Sequence, residues 1–226
     1  TDKRDDVVGT SKLTHAFSLT ALALSVLTLS NEAFAAQNGQ ISYVEVNSDK
    51  TGSIATGTDS IAIGPASSAA TASSIAIGNS ATVTDRGLQG IAIGNNATAN
   101  ANNATVIGRD TLVGRDATDS VAIGLGSVVT CTSATAIGKN ANASGRSSIS
   151  IGQNTLTTQD ATVAVGYNVS ATGINATTIG SYNNATGDSA TALGYKTTAG
   201  SWATAVGSNA TASGATSVAM GNNVLA

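Results

Sequence analysis

Charge is scarce in this chain: Lys, Arg, Asp and Glu make up 10% of its 226 residues, against about a quarter in ordinary soluble domains. Aromatics are scarcer still, with two Phe, one Trp and four Tyr beside a single Met, so a conventional core of bulky side chains is excluded. The one cysteine, Cys131, permits no intrachain disulfide and no thiolate metal cluster, and reads as a small side chain in a repeat slot. The one histidine, His15, lies in an N-terminal stretch that reads as a removable leader. What remains has none, which excludes Ser-His-Asp and Cys-His catalysis and any His-based metal site. The 25 glycines never form a Gly-rich loop ending in Lys-Ser/Thr, so phosphate cradling is unsupported. A net charge of −3 offers no basic patch for nucleic acid. Asp85, Asp110, Asp116, Asp119, Asp160 and Asp188 do not recur from one repeat to the next. That excludes a calcium-binding roll, which needs Asp within a nine-residue repeat, and leaves a polysaccharide-active enzyme without clustered acids. The expectation is a binding protein with no catalytic residues, cofactor or metal.

Apolar content still reaches 41%, because Ala, Val and Ile are plentiful. Low net charge with many β-branched residues is the reverse of a disorder signature. At the N-terminus, Lys3, Arg4 and Lys12 precede an apolar run from Ala16 to Leu29, followed by Ala33-Phe34-Ala35. A basic region, a hydrophobic segment and an Ala-x-Ala site are the anatomy of a secretory signal peptide, expected at residues 1–35. The run is too short for a membrane span, which needs about 20 residues, so no membrane insertion is expected of this segment. Residues 36–52, with alternation over Ile41-Ser42-Tyr43-Val44-Glu45-Val46, read as a lead-in that covers the first coil of a repeat.

That repeat occupies residues 53–226. A glycine preceded by an aliphatic residue recurs at Gly64, Gly78, Gly94, Gly108, Gly124, Gly138, Gly152, Gly166, Gly180, Gly194, Gly207 and Gly221, at intervals of 14 residues apart from two of 16 and one of 13. Immediately before these stand Ile63, Ile77, Ile93, Ile107, Ile123, Ile137, Ile151, Val165, Ile179, Leu193, Val206 and Met220. Three before the glycine the residue is always β-branched, and the position between is usually Ala. Period-two alternation with β-branched enrichment means a strand. Five residues after the glycine the side chain is never long or charged (Ala69, Val83, Ala99, Val113 and onward), which marks a second short strand. Further glycines such as Gly145, Gly173, Gly187 and Gly214 mark a second turn, where the backbone takes a positive φ or passes close to another segment.

A coil of strand, turn, strand, turn predicts an all-β parallel solenoid of about twelve 14-residue coils, stacked at about 4.8 Å into a rod of roughly 55 Å. The aliphatics before each glycine are expected to fill the roll against Ala of the second strand, large against small. The reverse also fits, if the aliphatics instead form a core between subunits. Either way a thin roll gains by burying a second face against identical chains. The two long intervals place extra, charged residues around 85–89 and 109–119 as longer corners or a binding rim. Tyr167, Tyr182, Tyr195 and Trp202 fall close together in the later repeats, as a ligand anchor or a local cap. Sequons such as Asn96-Ala97-Thr98 and Asn209-Ala210-Thr211 fall out of the repeat composition.

The units Ser60-Ile61-Ala62-Ile63-Gly64, Ser74-Ile75-Ala76-Ile77-Gly78 and Ser120-Val121-Ala122-Ile123-Gly124 resemble the S-V-A-I-G motif of YadA-like head repeats, found in trimeric autotransporter adhesins of Gram-negative bacteria. The resemblance implies a left-handed parallel β-roll, a homotrimer of side-by-side chains, and a place on the bacterial cell surface. It further implies attachment to host extracellular matrix, to host cell-surface proteins or to other bacteria. Such heads vary in ligand, and no binding residue carries over. The chain departs from the family in having no heptad stalk and no terminal amphipathic strands, so it is expected to be a fragment whose outer-membrane anchor lies elsewhere. The competing expectation is an ice- or surface-binding solenoid, suggested by Thr135, Thr177, Thr191 and Thr204 but interrupted by Val121, Ile149 and Val163.

Overall fold

The computed structural model describes residues 52–226, so the leader expected at 1–35 and all of the lead-in except Gly52 lie outside the described residues. The described residues contain two parallel sheets of twelve strands and no helix. Strands alternate between the sheets along the chain, one of each per coil. The narrow sheet is built of two-residue strands from Ile54–Ala55 through Ser68–Ala69 to Thr211–Ala212. The broad sheet has three-residue strands from Ile61–Ile63 to Ile149–Ile151, then five-residue strands from Val163–Tyr167 to Val218–Asn222. Each strand pairs only with its counterparts one coil away: Ile61 faces Ile75, Ile75 faces Ile91, and Thr204 faces Val218. Backbone polar groups are therefore satisfied between adjacent windings, and stability accumulates coil by coil.

The two corners of a coil share one design. The N–H of Ser67 donates to the Gly64 carbonyl at 3.2 Å across one corner, and that of Ser148 donates to the Gly145 carbonyl at 3.3 Å across the other. The residue before the donor takes a left-handed conformation in both, Ala66 at φ 56° and Ser147 at φ 53°. A coil is thus two seven-residue halves in tandem. Asn, Asp and Ser recur in the left-handed slots, because their short polar side chains tolerate positive φ. Several stack into side-chain ladders, with Asn96 donating to Asp110 at 3.0 Å and Asn140 to Asn154 at 3.1 Å. The glycines that open the two corners differ. Gly138 has φ 133°, outside the reach of L-residues, and a Cβ there would also overlap the Gly152 carbonyl. Gly145 has no positive φ and is required only because a Cβ would overlap the Gln159 carbonyl.

The interior is made of small side chains. Ala76, Ala92, Val106, Ala122 and Ala136 of the broad sheet meet Ala69, Val83, Ala99, Val113 and Val129 of the narrow sheet, all of them at 0% exposure. The expectation that the aliphatics before the glycines fill the roll is corrected. Ile63, Ile77, Ile93, Ile107, Ile123, Ile137, Ile151, Val165, Ile179, Leu193, Val206 and Met220 are half-buried or exposed, on the outer face of the broad sheet. The reason is the corner: a four-residue turn such as Gly64 to Ser67 draws the sheets too close together for inward Ile. Most buried Ser and Thr fit because the hydroxyl finds a carbonyl nearby, as Ser67 does on Gly64 at 2.9 Å and Ser148 on Gly145 at 2.7 Å, while the Thr178 and Thr197 hydroxyls have no partner.

One coil interrupts the apolar interior. Ser148, Ser150, Thr155 and Thr157 form a buried hydroxyl layer in which Ser150 donates to Thr155 at 2.8 Å and Thr157 to Ser148 at 3.1 Å. Apolar clusters end on either side of it, one running from Ala69 to Ala143 and the other from Ala164 to Ala219. The broad-sheet strands lengthen at the same place.

Candidate functional site

The surface is divided sharply by chemistry. Parallel pairing without slippage holds two columns on the outer face of the broad sheet, one from Ile63, Ile77 and Ile93 to Met220, the other from Ile61, Ile75 and Ile91 to Val218. The exposure of Ile61 is 47%, of Ile107 37% and of Met220 65%, large for aliphatics that come in an unbroken series. A contiguous apolar strip of this kind marks an interaction surface. Thr177, Thr191 and Thr204 occupy one column in three successive coils, but Ile179, Leu193 and Val206 stand beside them. The flat array of hydroxyls that a threonine-based surface binder needs is therefore absent from this face.

The outer face of the narrow sheet is uncharged. Its column reads Ser68, Thr82, Thr98, Leu112, Val128, Asn142, Leu156, Ser170, Asn184, Thr198 and Thr211. Among the described residues charge is confined to the corners, and changes of repeat length to one of them. The link from Val83 to Ile91 and that from Val113 to Val121 each carry two more residues than the link from Ala69 to Ile75, and the link from Ala199 to Thr204 carries one fewer. All three lie where the chain passes from the narrow to the broad sheet. Asp85, Arg86, Arg115 and Asp116 are exposed on the two longer links. Arg109 and Asp110, expected to belong with them, sit at the opposite corner, where they pair at 3.6 Å with both side chains in solvent.

That opposite corner, just after each stacking glycine, carries the tyrosines. Tyr182 meets Tyr167 edge to face with centroids 5.4 Å apart, and Tyr195 with centroids 6.0 Å apart. The Lys196 ammonium stands 5.1 Å from the Tyr195 centroid, a cation–π distance. The Tyr182 phenol is raised above its ordinary value of 10.0, first by its hydrogen bond with Tyr167 and then by the charge of that same phenol. Trp202 does not join them: it is 65% exposed at the other corner, on the shortened link. Position after position on one corner is visible only once the coils are stacked, which is why sequence proximity grouped Trp202 with the tyrosines.

Among curated proteins nothing matches the chain. The family described as YadA head domain repeat (2 copies) matches it at residues 55–81, 86–111, 116–141, 132–155, 143–168, 171–197 and 203–223. These matches cover nearly the whole roll. The fold is the β-solenoid of that family, which is of adhesin type, associated with Gram-negative cell surfaces and typically non-enzymatic. With an unbroken aliphatic face, small interior residues and stacked glycine corners all in the register that the family match spans, the chain belongs to the YadA head domain repeat family.

Proposed function

We propose that this chain is the head of a trimeric adhesin that attaches a Gram-negative bacterium to host extracellular matrix, host cell-surface proteins or other bacteria. In this reading residues 1–35 direct export, and the head is displayed at the outer membrane. Three broad sheets face the threefold axis and bury their aliphatic columns, while narrow sheets and corners remain for ligands. A threefold contact is heterologous, so different patches of the aliphatic face meet between neighbouring rolls.

The observation that carries the reading is the outward placement of Ile63, Ile77, Ile93 and their successors. A monomer gains nothing by keeping large aliphatics in water while filling its interior with Ala, and the arrangement becomes favourable once that face is covered. Sedimentation of the purified chain tests the assembly. Retention on immobilised matrix proteins and cultured cells, compared with a variant carrying lysines on the aliphatic face, tests the attachment. A strictly monomeric chain that binds no surface would overturn both.

A further inference from the structure

The tyrosine corner is not something the repeat requires. Its left-handed slot, two residues after the stacking glycine, is filled elsewhere by Asn140, Asn154, Asn168 and Asn209, with φ between 53° and 57°. Tyr182 takes the same slot at φ 57°. A bulky aromatic is a poor occupant of that conformation, and such outliers persist where something other than the turn selects them. The effect of placing it there is specific. In the neighbouring coils the aromatic follows the glycine directly, as Tyr167 and Tyr195; in the middle coil that position is Ser181, and the ring is delivered from the next position instead. The result is an unbroken row of three rings, one per coil, with exposures of 40%, 47% and 44%.

On the side away from the broad sheet the surroundings are polar but barely charged. Gln153, Asn154, Asn168 and Lys196 flank the rings, and along this corner from Leu125 to Asn223 there is no carboxylate. We infer that this row binds an extended neutral glycan lying along the roll, a ligand class that deepens the adhesin reading and rests on it. Exposed phenol rings accept the C–H surfaces of sugars, while amides, phenol hydroxyls and one ammonium can donate to and accept from sugar hydroxyls. A polymer suits the site because the ring centroids follow one another at 5.4 and 6.0 Å along the roll, so one extended chain can touch all three. A polyanion does not, since Lys139 and Lys196 are the only unpaired cations on this stretch of the corner and stand four coils apart. On the broad-sheet side the row borders aliphatics, since Val165 and Leu193 stand two residues before Tyr167 and Tyr195 on the same strands with Ile179 between them, so the experiment also reads whether the row belongs to a contact between copies.

The repeat supplies replacements that fit these positions: Ser, as at Ser181 and Ser208, for Tyr167 and Tyr195, and Asn, as at Asn168, for Tyr182. The full chain and a variant with Tyr167→Ser, Tyr182→Asn and Tyr195→Ser are titrated with cello-, chito- and galacto-oligosaccharides of increasing length, and with heparin oligosaccharides. Sedimentation and attachment to cells are measured on the same samples. The expected result is affinity for at least one neutral series that grows up to about three sugars and falls about tenfold or more in the variant, with sedimentation unchanged. Four results would overturn the inference: no neutral oligosaccharide bound, binding indifferent to the three substitutions, a preference for heparin, or a variant whose oligomeric state changes, which would assign the row to a second copy of the chain. If oligosaccharide binding fails while trimers form and cells still attach, the glycan site alone is lost. If trimers and attachment are missing from the unmodified chain, the adhesin reading falls with it.

Discussion

Ser150 donates a hydrogen bond to Thr155 at 2.8 Å across the interior of the roll, at positions where every other coil except that of Thr178 and Asn183 offers at least one Ala or Val. Thr157 and Ser148 complete that layer, and the apolar clusters stop on either side. In a solenoid, stability is a sum of coils and their interfaces, so this is where cooperativity is weakest. Hydrogen exchange of the native chain is expected to show the amides of residues 148–157 exchanging faster than those near Ala122 or Ala192. Replacing both members of a satisfied pair by apolar groups of similar shape is close to neutral, so the double variant Ser148→Ala, Thr157→Val is expected to stay within about 1 kcal/mol of the parent and to even out protection across the seam. Uniform protection in the unmodified chain would remove the seam.

Two glycines of one corner are expected to respond in opposite ways. Gly124 has φ 125°, and a Cβ there would come within 2.6 Å of the Gly138 carbonyl oxygen. Gly124→Ala is expected to cost about 3 kcal/mol or more, through backbone strain and overlap together. Gly126 has φ 64°, in the slot where other coils carry Asn, and its nearest neighbour is the Asn140 side-chain oxygen at 3.0 Å. Gly126→Asn is expected to leave stability unchanged or raise it by about 0.5 kcal/mol, through a less flexible unfolded chain and an extended amide ladder. Thermal and denaturant midpoints of the two variants decide the matter.

The two faces of a broad-sheet strand are expected to separate folding from assembly. Ala76 lies at 0% exposure between the sheets, and Ala76→Leu is expected to destabilise the roll by about 3 kcal/mol or to prevent its folding, by overpacking. Ile77 and Ile93 face outward, and the pair Ile77→Lys, Ile93→Lys is expected to keep the β-sheet circular dichroism while shifting sedimentation from trimer to monomer. Loss of fold in the lysine pair with trimers retained by the leucine variant would reverse the assignment of the faces.

Tyr182 supplies a pH dependence. Its phenol is raised above 10.0 by Tyr167, so the neutral form is favoured in the folded state. The unfolded chain releases this proton first, and whatever the phenol cluster contributes is intact below pH about 10 and is lost as the pH rises through the folded value. Ultraviolet titration is expected to show one tyrosine ionising later than the others, and Tyr167→Phe is expected to bring that group back toward the ordinary range. A titration unchanged by Tyr167→Phe would detach the shift from its neighbour.

The period, the strand after strand alternation and the stacking glycines were legible along the chain because each is set locally: a β-branched residue at Ile75, a small one at Ala76, a large one at Ile77, and a φ beyond L-residues at Gly78. Family resemblance was legible for the same reason. What could not be read was direction. Alternation says that Ile77 and Ala76 point to opposite sides and is silent about which side is inside, since inverting every strand leaves the pattern intact. The tertiary structure decided it through sheet separation: corners of four residues leave a gap that Ala and Val fill and Ile does not. The same holds for the corners themselves. That Arg109 and the loop at Arg115 lie at opposite edges, and that Tyr182 joins Tyr167 while Trp202 stands apart, follows from where each coil turns over the one before it, and that register exists only once the windings are stacked.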